Sequence, residues 1–135
     1  MRRAALGVAV ACLALVLSGC GADDQPEEWI AHLTISVMKD AKAKEKTAVL
    51  ICPGRTSHDR DVCAALDVVA PRVFQPVPED RVCTMIYGGP ATATIRGTYG
   101  EDNDLADAYF NQANGCEIGR WNQILPILKA LKLYS

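Results

Sequence analysis

The sequence predicts an α+β domain with an antiparallel sheet, and three observations support that prediction. Segments of alternating polar and apolar residues, typical of half-buried strands, occur in both halves of the chain. Segments with apolar residues at helical spacing lie between and after them, and runs of strands with helices between them favour an antiparallel sheet. Four cysteines in the same region indicate two disulfides, because the chain also carries an export signal.

The first two elements are predicted strands. His32–Val37 alternates polar and apolar side chains, so one of its faces is suited to a core. Asp40–Lys46 is rich in charge and is interpreted as a solvated hairpin connection. Thr47–Cys52 is the second strand, and its continuous apolar run predicts a more central position in the sheet.

A helix is predicted after Pro53-Gly54, which ends the second strand. Asp59 or Asp61 is expected to cap this helix, which continues to about Ala70 and stops at Pro71. Apolar residues at helical spacing give it one buried stripe, which consists of Val62, Cys63, Leu66 and Val69.

The second half of the chain contains two further predicted strands and a helix. The predicted elements are a strand Ala91–Thr98, a turn Gly100–Asn103, a strand Ala106–Asn111 and a short helix Cys116–Asn122. Ile124–Tyr134 fits a strand or a helix, because Pro126 interrupts it. We interpret it as the last packed element, with dimerisation or membrane contact as the alternatives.

The first nineteen residues are interpreted as a signal peptide. Arg2 and Arg3 precede an apolar run of fourteen residues, Ala4–Leu17. The run is shorter than the roughly 20 residues of a transmembrane helix, but it suits a secretory signal. It ends in Leu17-Ser18-Gly19-Cys20, which resembles a lipoprotein lipobox. Cleavage before Cys20 and acylation of its thiol predict an exported protein that is lipid-anchored on the extracellular or envelope face of the cell membrane.

The mature chain divides into a lipidated N-terminus with a spacer, residues 20–30, and one domain, residues 31–135. Gly21–Glu28 is small, polar and acidic, as expected of a spacer. Without Arg2 and Arg3 the chain has twelve basic and sixteen acidic residues, which argues against nucleic acid as a partner.

The cysteines favour disulfides over a metal site. Cys12 leaves with the signal peptide and Cys20 carries the lipid, so four remain: Cys52, Cys63, Cys83 and Cys116. The gaps between these four are 11, 20 and 33 residues, with no Cys-x-x-Cys pair, and the chain has only two histidines. We therefore expect neither zinc nor any other metal.

The sequence does not favour an enzyme. His32 lies in a strand pattern and His58 in a polar segment, and each is interpreted as an ordinary surface residue. No nucleophile elbow, P-loop or dinucleotide fingerprint is present. We therefore nominate no catalytic residue and no cofactor.

Four segments together resemble a known family. They are Leu50-Ile51-Cys52-Pro53-Gly54, Val62-Cys63-Ala64-Ala65-Leu66, Val82-Cys83-Thr84-Met85-Ile86-Tyr87 and Asn114-Gly115-Cys116-Glu117. Their order and the gaps between their cysteines resemble the subtilisin inhibitor family of the streptomycete type, over Leu33–Ile124. The resemblance implies disulfides Cys52–Cys63 and Cys83–Cys116, and a five-stranded antiparallel sheet with two helices on one side.

The resemblance also implies a function. The protein would inhibit secreted subtilisin-like or chymotrypsin-like serine proteases through a substrate-like loop with Met85–Ile86 as the scissile bond. Cys83 and Thr84 would contact the protease before this bond and Tyr87 after it. Met85 is a flexible apolar residue that suits a roomy apolar specificity pocket. The family is dimeric by sheet packing, which leaves a homodimer open.

Three alternatives stay open at this stage. Met85 could be a core residue, and Tyr87 could pack beneath the loop instead of contacting a protease. Asn114 could hydrogen-bond behind the loop or form the turn before Cys116, and we favour the turn. Thr84 and Gly88-Gly89 depart from the prolines common in the family. This motivates a second hypothesis, that of an envelope lipoprotein that keeps the inhibitor fold as a non-inhibitory binding module.

Overall fold

Four antiparallel strands and two helices form the part of the chain described by the computed structural model, residues 29–135. The elements are β1 (Ala31–Met38), β2 (Lys46–Cys52), α1 (Ser57–Val69), a 3₁₀ turn (Arg72–Phe74), β3 (Thr92–Tyr99), β4 (Asp104–Phe110) and α2 (Gly115–Ala130). The predicted α+β class with an antiparallel sheet is confirmed. The predicted signal peptide 1–19, the lipidation site Cys20 and most of the spacer 20–30 lie outside the described residues.

The sheet has four strands within the described residues, so the expectation of five is wrong for this part of the chain. Their order is β2-β1-β3-β4, and every neighbouring pair is antiparallel. The long segment before β3 contains Pro76, Pro78 and Pro90, and none of its residues 75–91 is in a strand. Proline lacks the N–H that a strand ladder needs, which opposes a fifth strand here.

The predicted central position of β2 is also wrong, because β2 is an edge strand of the described sheet. Its outward side chains Val49 and Ile51 are more than half exposed, although both are apolar. A connection of seven residues, 39–45, joins β1 to β2, which lies directly beside it in an antiparallel hairpin. A continuous apolar run therefore did not distinguish a strand buried on both faces from an edge strand with an apolar outer face.

Side chains alternate across the sheet, so that one face is buried and the other faces solvent. In β1, Leu33 and Ile35 are fully buried, whereas Thr34 between them is exposed. The helices contribute to the same core through Val62, Cys63 and Leu66 of α1 and Trp121, Ile124, Ile127 and Leu128 of α2. Both helices therefore pack on one side of the sheet.

Helix α1 begins with a capping box, and the predicted cap is corrected. Thr56 is the N-cap residue, and its hydroxyl accepts a hydrogen bond from the Asp59 amide at 3.0 Å. The Asp59 carboxylate accepts in return from the Thr56 amide. Hydrogen bonding of this carboxylate to the side chain and backbone of Thr56 holds the pKa of Asp59 below its ordinary value. Asp59 thus supports the cap from the third helical position, and Asp61 lies inside the helix. The helix ends at Val69, before Pro71, as predicted.

Helix α2 is a single element where the sequence left the last segment undecided. It continues through Pro126, whose side chain is exposed, and ends at Ala130. Apolar contacts of the residues around Pro126 hold the helix together although one backbone hydrogen bond is missing. Leu133 is buried, and the Tyr134 ring packs edge-on against Trp121 with their centroids 5.4 Å apart. The C-terminal segment is therefore packed on the domain, as we favoured.

Neither described helix combines the length and the hydropathy that crossing a membrane requires.

Candidate protease-binding loop

The segment 82–88 is a protruding loop that leads into β3. Four of its apolar side chains face solvent: Val82 is 96% exposed, Met85 92%, Tyr87 71% and Ile86 55%. An exposed apolar side chain does not stabilise the folded state by burial, so a cluster of such side chains usually marks a binding surface. The alternatives that Met85 fills a core gap and that Tyr87 packs beneath the loop are both wrong.

Both predicted disulfides are present, with the pairing that the resemblance implies. Cys83 is bonded to Cys116, which connects the loop two residues before Met85 to the first turn of α2. Cys52 is bonded to Cys63, which connects the end of β2 to α1 inside the core. The first disulfide constrains the loop, and the second constrains the domain beneath it.

Two backbone hydrogen bonds hold the loop on either side of Met85. The Gly115 amide donates to the Thr84 carbonyl at 2.9 Å, one residue before Met85. The Gly88 amide donates to the Gln112 carbonyl at 2.8 Å, three residues after Met85. Both partners lie at the junction between β4 and α2, so one short piece of the domain supports both sides of the exposed peptide.

The glycines of this region are explained by close approach of other atoms. A Cβ on Gly115 would overlap Thr84 Oγ1. A Cβ on Gly88 would lie 2.9 Å from Ile118 Cγ1 and 3.0 Å from Gln112 Oε1. Gly89 has a φ of 138°, which side-chain-bearing residues rarely adopt. Gly88-Gly89 depart from the prolines common in the resembled family. In this chain the two glycines pack against neighbouring side chains, and a hydrogen bond from the Gly88 amide holds them.

Asn114 is the N-cap residue of α2, which neither of the two roles considered from the sequence described. Its side chain accepts a hydrogen bond from the Glu117 amide at 3.0 Å and caps α2. The contact behind the loop comes instead from the backbone of its neighbour, Gly115. Asn114 therefore affects the loop through the position of the helix N-terminus.

The sequence interpretation missed Val82, Gln112 and Arg120. The exposure of Val82 could not be inferred from its residue type, because valine is more often buried than exposed. Gln112 acts through its backbone carbonyl, which leaves no signal in the residue type. Arg120 lies on α2 with only 11% of its side chain exposed, and nothing in its sequence context predicts burial of a cation.

A basic groove lies beside the loop, between α2 and the proline-rich segment. It encloses about 530 Å³, and its lining includes Arg72, Arg81 and Arg120 but no carboxylate side chain. Cys116 also lines it, so the groove reaches the disulfide that constrains the loop. Arg120 is paired with Glu117 at 2.8 Å, so the positive charge of the groove comes mainly from Arg72 and Arg81.

The described residues contain no cluster of three or more histidine, cysteine or acidic side chains that could hold a metal ion. What the site offers is an exposed peptide whose flanks are held by a disulfide and two backbone hydrogen bonds. His32 is exposed on the outer face of β1, and His58 Nε2 lies 3.1 Å from the Ala130 carbonyl oxygen at the end of α2. Neither histidine is part of the loop.

Comparison with known proteins gives no relative: no family model, no curated protein and no solved structure matches this chain.

Proposed function

We propose that this protein is a membrane-anchored proteinaceous inhibitor of subtilisin-like or chymotrypsin-like serine proteases. The chain would be a divergent member of the streptomycete-type subtilisin inhibitor family. Its reactive loop would enter the protease as a substrate does, with Met85 in the specificity pocket and Met85–Ile86 as the scissile bond. Cys83 and Thr84 would contact the enzyme before that bond and Tyr87 after it.

The observation that carries this proposal is the exposed loop that is fixed at both flanks. Met85 is 92% exposed, while the Cys83–Cys116 disulfide and two backbone hydrogen bonds hold the residues around it. An inhibitor of this kind presents a cleavable peptide and keeps both new ends in place after cleavage. The leaving amine then stays beside the acyl-enzyme, so religation competes with hydrolysis.

Pre-ordering of the loop supports tight binding. Immobilising a flexible side chain or loop on association costs about 0.5–1.5 kcal/mol for each rotamer-rich side chain. A loop that is already held in the free protein avoids part of this cost. Complexes of this type are of ordinary interface size and yet are among the tightest known, because complementarity and pre-organisation outweigh area.

The side chain at the proposed specificity position selects the class of protease. Met85 is unbranched and apolar, and it fits a roomy apolar pocket. A trypsin-like pocket carries an aspartate that requires a basic residue, so trypsin-like enzymes are not the proposed targets. Val82, three residues before Met85 and 96% exposed, adds a second apolar side chain for the same enzyme surface.

The sheet geometry suits a lipid anchor on Cys20. Ala31, at the start of β1, pairs with Tyr99 at one end of the sheet, whereas Met38 pairs with Thr92 at the other end. The loop enters β3 at Thr92, so it lies one strand length, about 24 Å, from the point where the chain enters the domain. A lipid on Cys20 would therefore be joined to the end of the sheet opposite to the loop.

The proposal is tested by titrating subtilisin with oxidised protein and with two variants. Met85→Asp places a charge in the proposed apolar pocket and should weaken inhibition by more than about a hundredfold, since burying an unpaired charge is strongly unfavourable. Val68→Asp is the matched control, because Val68 is also exposed, at 76%, but lies on α1 outside the loop. Full inhibition by Met85→Asp would exclude the proposed site.

The binding-module hypothesis remains as the second candidate, and the apolar loop itself supports it, because an exposed apolar cluster suits any partner groove. Folded protein with both disulfides intact that leaves subtilisin and chymotrypsin fully active would favour this hypothesis over inhibition.

A further inference from the structure

The two hydrogen-bond partners of the loop lie at the ends of one short connection. Residues 111–114 join β4, which ends at Phe110, to α2, which begins at Gly115. The Gln112 carbonyl in this connection accepts from Gly88, and the Gly115 amide just after it donates to Thr84. The position of the loop therefore depends on how β4 and the first turn of α2 are held relative to each other.

Arg120 contacts both sides of this connection. On the β4 side, its Nη1 donates to the Tyr109 carbonyl at 3.2 Å, and its guanidinium lies 4.7 Å from the centre of the Phe110 ring. On the α2 side, Nη1 also donates to Glu117 Oε2 at 2.8 Å. Glu117 in turn donates its amide to Asn114, the residue before Gly115.

A third contact joins Arg120 to the 3₁₀ turn. Its Nη2 donates to the Val73 carbonyl at 3.1 Å. One planar guanidinium thus connects three separate elements through two of its nitrogens, whereas a lysine would present all its donors from a single nitrogen. Within residues 29–135, its buried Nε–H has no hydrogen-bond partner, an unfavourable feature that the domain tolerates while the other two nitrogens make these contacts.

We propose that Arg120 is a positioning residue for the reactive loop. It acts by fixing the connection between β4 and α2, from which both hydrogen-bond partners of the loop come. Arg120 itself lies on α2, whereas the proposed protease contacts all lie in the loop. Its effect would be to keep the Thr84 carbonyl and the Gly88 amide in place on either side of Met85. This inference rests on the inhibitor function proposed above for its biological meaning, but its structural content can be measured without a protease.

The test uses amide hydrogen exchange of the oxidised protein and its variants. Arg120→Met removes the guanidinium and keeps an unbranched apolar side chain. We expect exchange at the Gly88 and Gly115 amides to rise by about tenfold or more, because these hydrogen bonds would open locally, while the amides of Leu33 and Ile95 keep their protection. A role limited to overall stability would raise exchange at all four amides together.

Two further variants make the test specific. Glu117→Gln keeps the contacts of Arg120 to Tyr109 and Val73 but weakens its contact with the first turn of α2. Exchange at both glycines should therefore rise by about threefold, since charge-assisted bonds are roughly twice as strong as neutral ones. The Glu117→Gln variant also allows the proposal to be tested if Arg120→Met does not fold. Arg96→Met is the matched control, because the Arg96–Asp107 ion pair is on the outer face of the sheet and highly exposed. It should leave both glycines unchanged.

Cleavage kinetics give a second readout that separates this inference from the proposed function. If the parent protein inhibits subtilisin, folded Arg120→Met should be hydrolysed at Met85–Ile86 about tenfold faster, a change of about 1.4 kcal/mol. If the parent protein inhibits no protease, raised exchange at Gly88 and Gly115 still supports the positioning role. Unchanged exchange at both glycines in folded Arg120→Met would overturn it.

Discussion

At the scale of single residues, the loop depends on contacts too close to admit a side chain. Gly115 is the first residue of α2, and its amide reaches the Thr84 carbonyl because no Cβ stands between helix and loop. Gly119, one turn later, has no atom within 4 Å of the place that its Cβ would take. Close approach of Thr84 therefore explains the glycine at position 115, whereas no contact explains the glycine at position 119.

These two glycines give a matched pair of variants. Gly115→Ala should push Thr84 away from the helix and weaken inhibition about tenfold, since overpacking costs roughly 1–3 kcal/mol. Gly119→Ala should leave inhibition unchanged and raise stability by about 0.5–1 kcal/mol, because alanine is the better helix former. Protease titration and urea unfolding measure the two effects.

A double variant identifies the cause of the Gly115 effect. Gly115→Ala combined with Thr84→Ala removes the hydroxyl that the new methyl group would overlap, so inhibition should recover relative to Gly115→Ala alone. If the double variant were no better than the single one, the contact between Thr84 and Gly115 would not be the reason for glycine at this position.

At the scale of elements, α2 connects the core to the loop. Its buried residues, among them Trp121 and Ile124, fix the helix against the sheet, and its first turn carries Cys116 of the loop disulfide. Pro126 interrupts the hydrogen bonding of this helix about three turns beyond the loop contacts of Gly115 and Cys116. Because its side chain is exposed, the proline adds little packing in return for the lost hydrogen bond.

Replacing this proline should therefore stabilise the domain. Pro126→Ala is expected to raise the free energy of unfolding by about 1–3 kcal/mol, because proline is about 3 kcal/mol less favourable than alanine within a helix. Gln123→Ala, at another exposed position of α2, is the control and should change stability by less than about 0.5 kcal/mol. Destabilisation by Pro126→Ala in urea unfolding would contradict this interpretation of the helix.

At the scale of the whole molecule, the two disulfides have different tasks. Cys52–Cys63 closes a short segment within the core, whereas Cys83–Cys116 closes a longer one and connects the loop to α2. In the chain-entropy model they stabilise the fold by about 3 and about 4 kcal/mol. Their effects on stability should therefore be similar, and their effects on inhibition should differ.

Paired alanine variants separate these tasks. Cys83→Ala with Cys116→Ala should convert the protein from an inhibitor into a substrate cleaved near Met85, because the loop loses its covalent support. Cys52→Ala with Cys63→Ala should still inhibit under conditions in which it remains folded. Mass spectrometry of digests and residual protease activity measure both outcomes. Full inhibition without Cys83–Cys116 would show that hydrogen bonds alone hold the loop.

The sequence predicted those parts of the molecule that depend on local patterns. Alternation located the strands, and the exposed Met85 lies in the segment that was singled out. The edge position of β2 was not predictable, because Val49 and Ile51 are apolar and yet face solvent. The continuity of α2 through Pro126 depends on tertiary packing, which overrides local propensity.

The contacts that support the loop could not be predicted from the sequence, for a different reason. The contacts at Gln112 and Gly115 are made by backbone atoms, which every residue type carries. The contacts of Arg120 join residues as far apart as Val73 and Tyr109, which only the folded chain brings together.

The most direct test of the account is to mix oxidised protein with subtilisin, follow residual activity, and identify by mass spectrometry the bond that is slowly cleaved. We predict that activity disappears at equimolar protein and that cleavage is confined to Met85–Ile86, with intact and cleaved forms persisting together. Full protease activity in the presence of protein with both disulfides intact, or rapid cleavage at other bonds, would contradict the proposed inhibitor function.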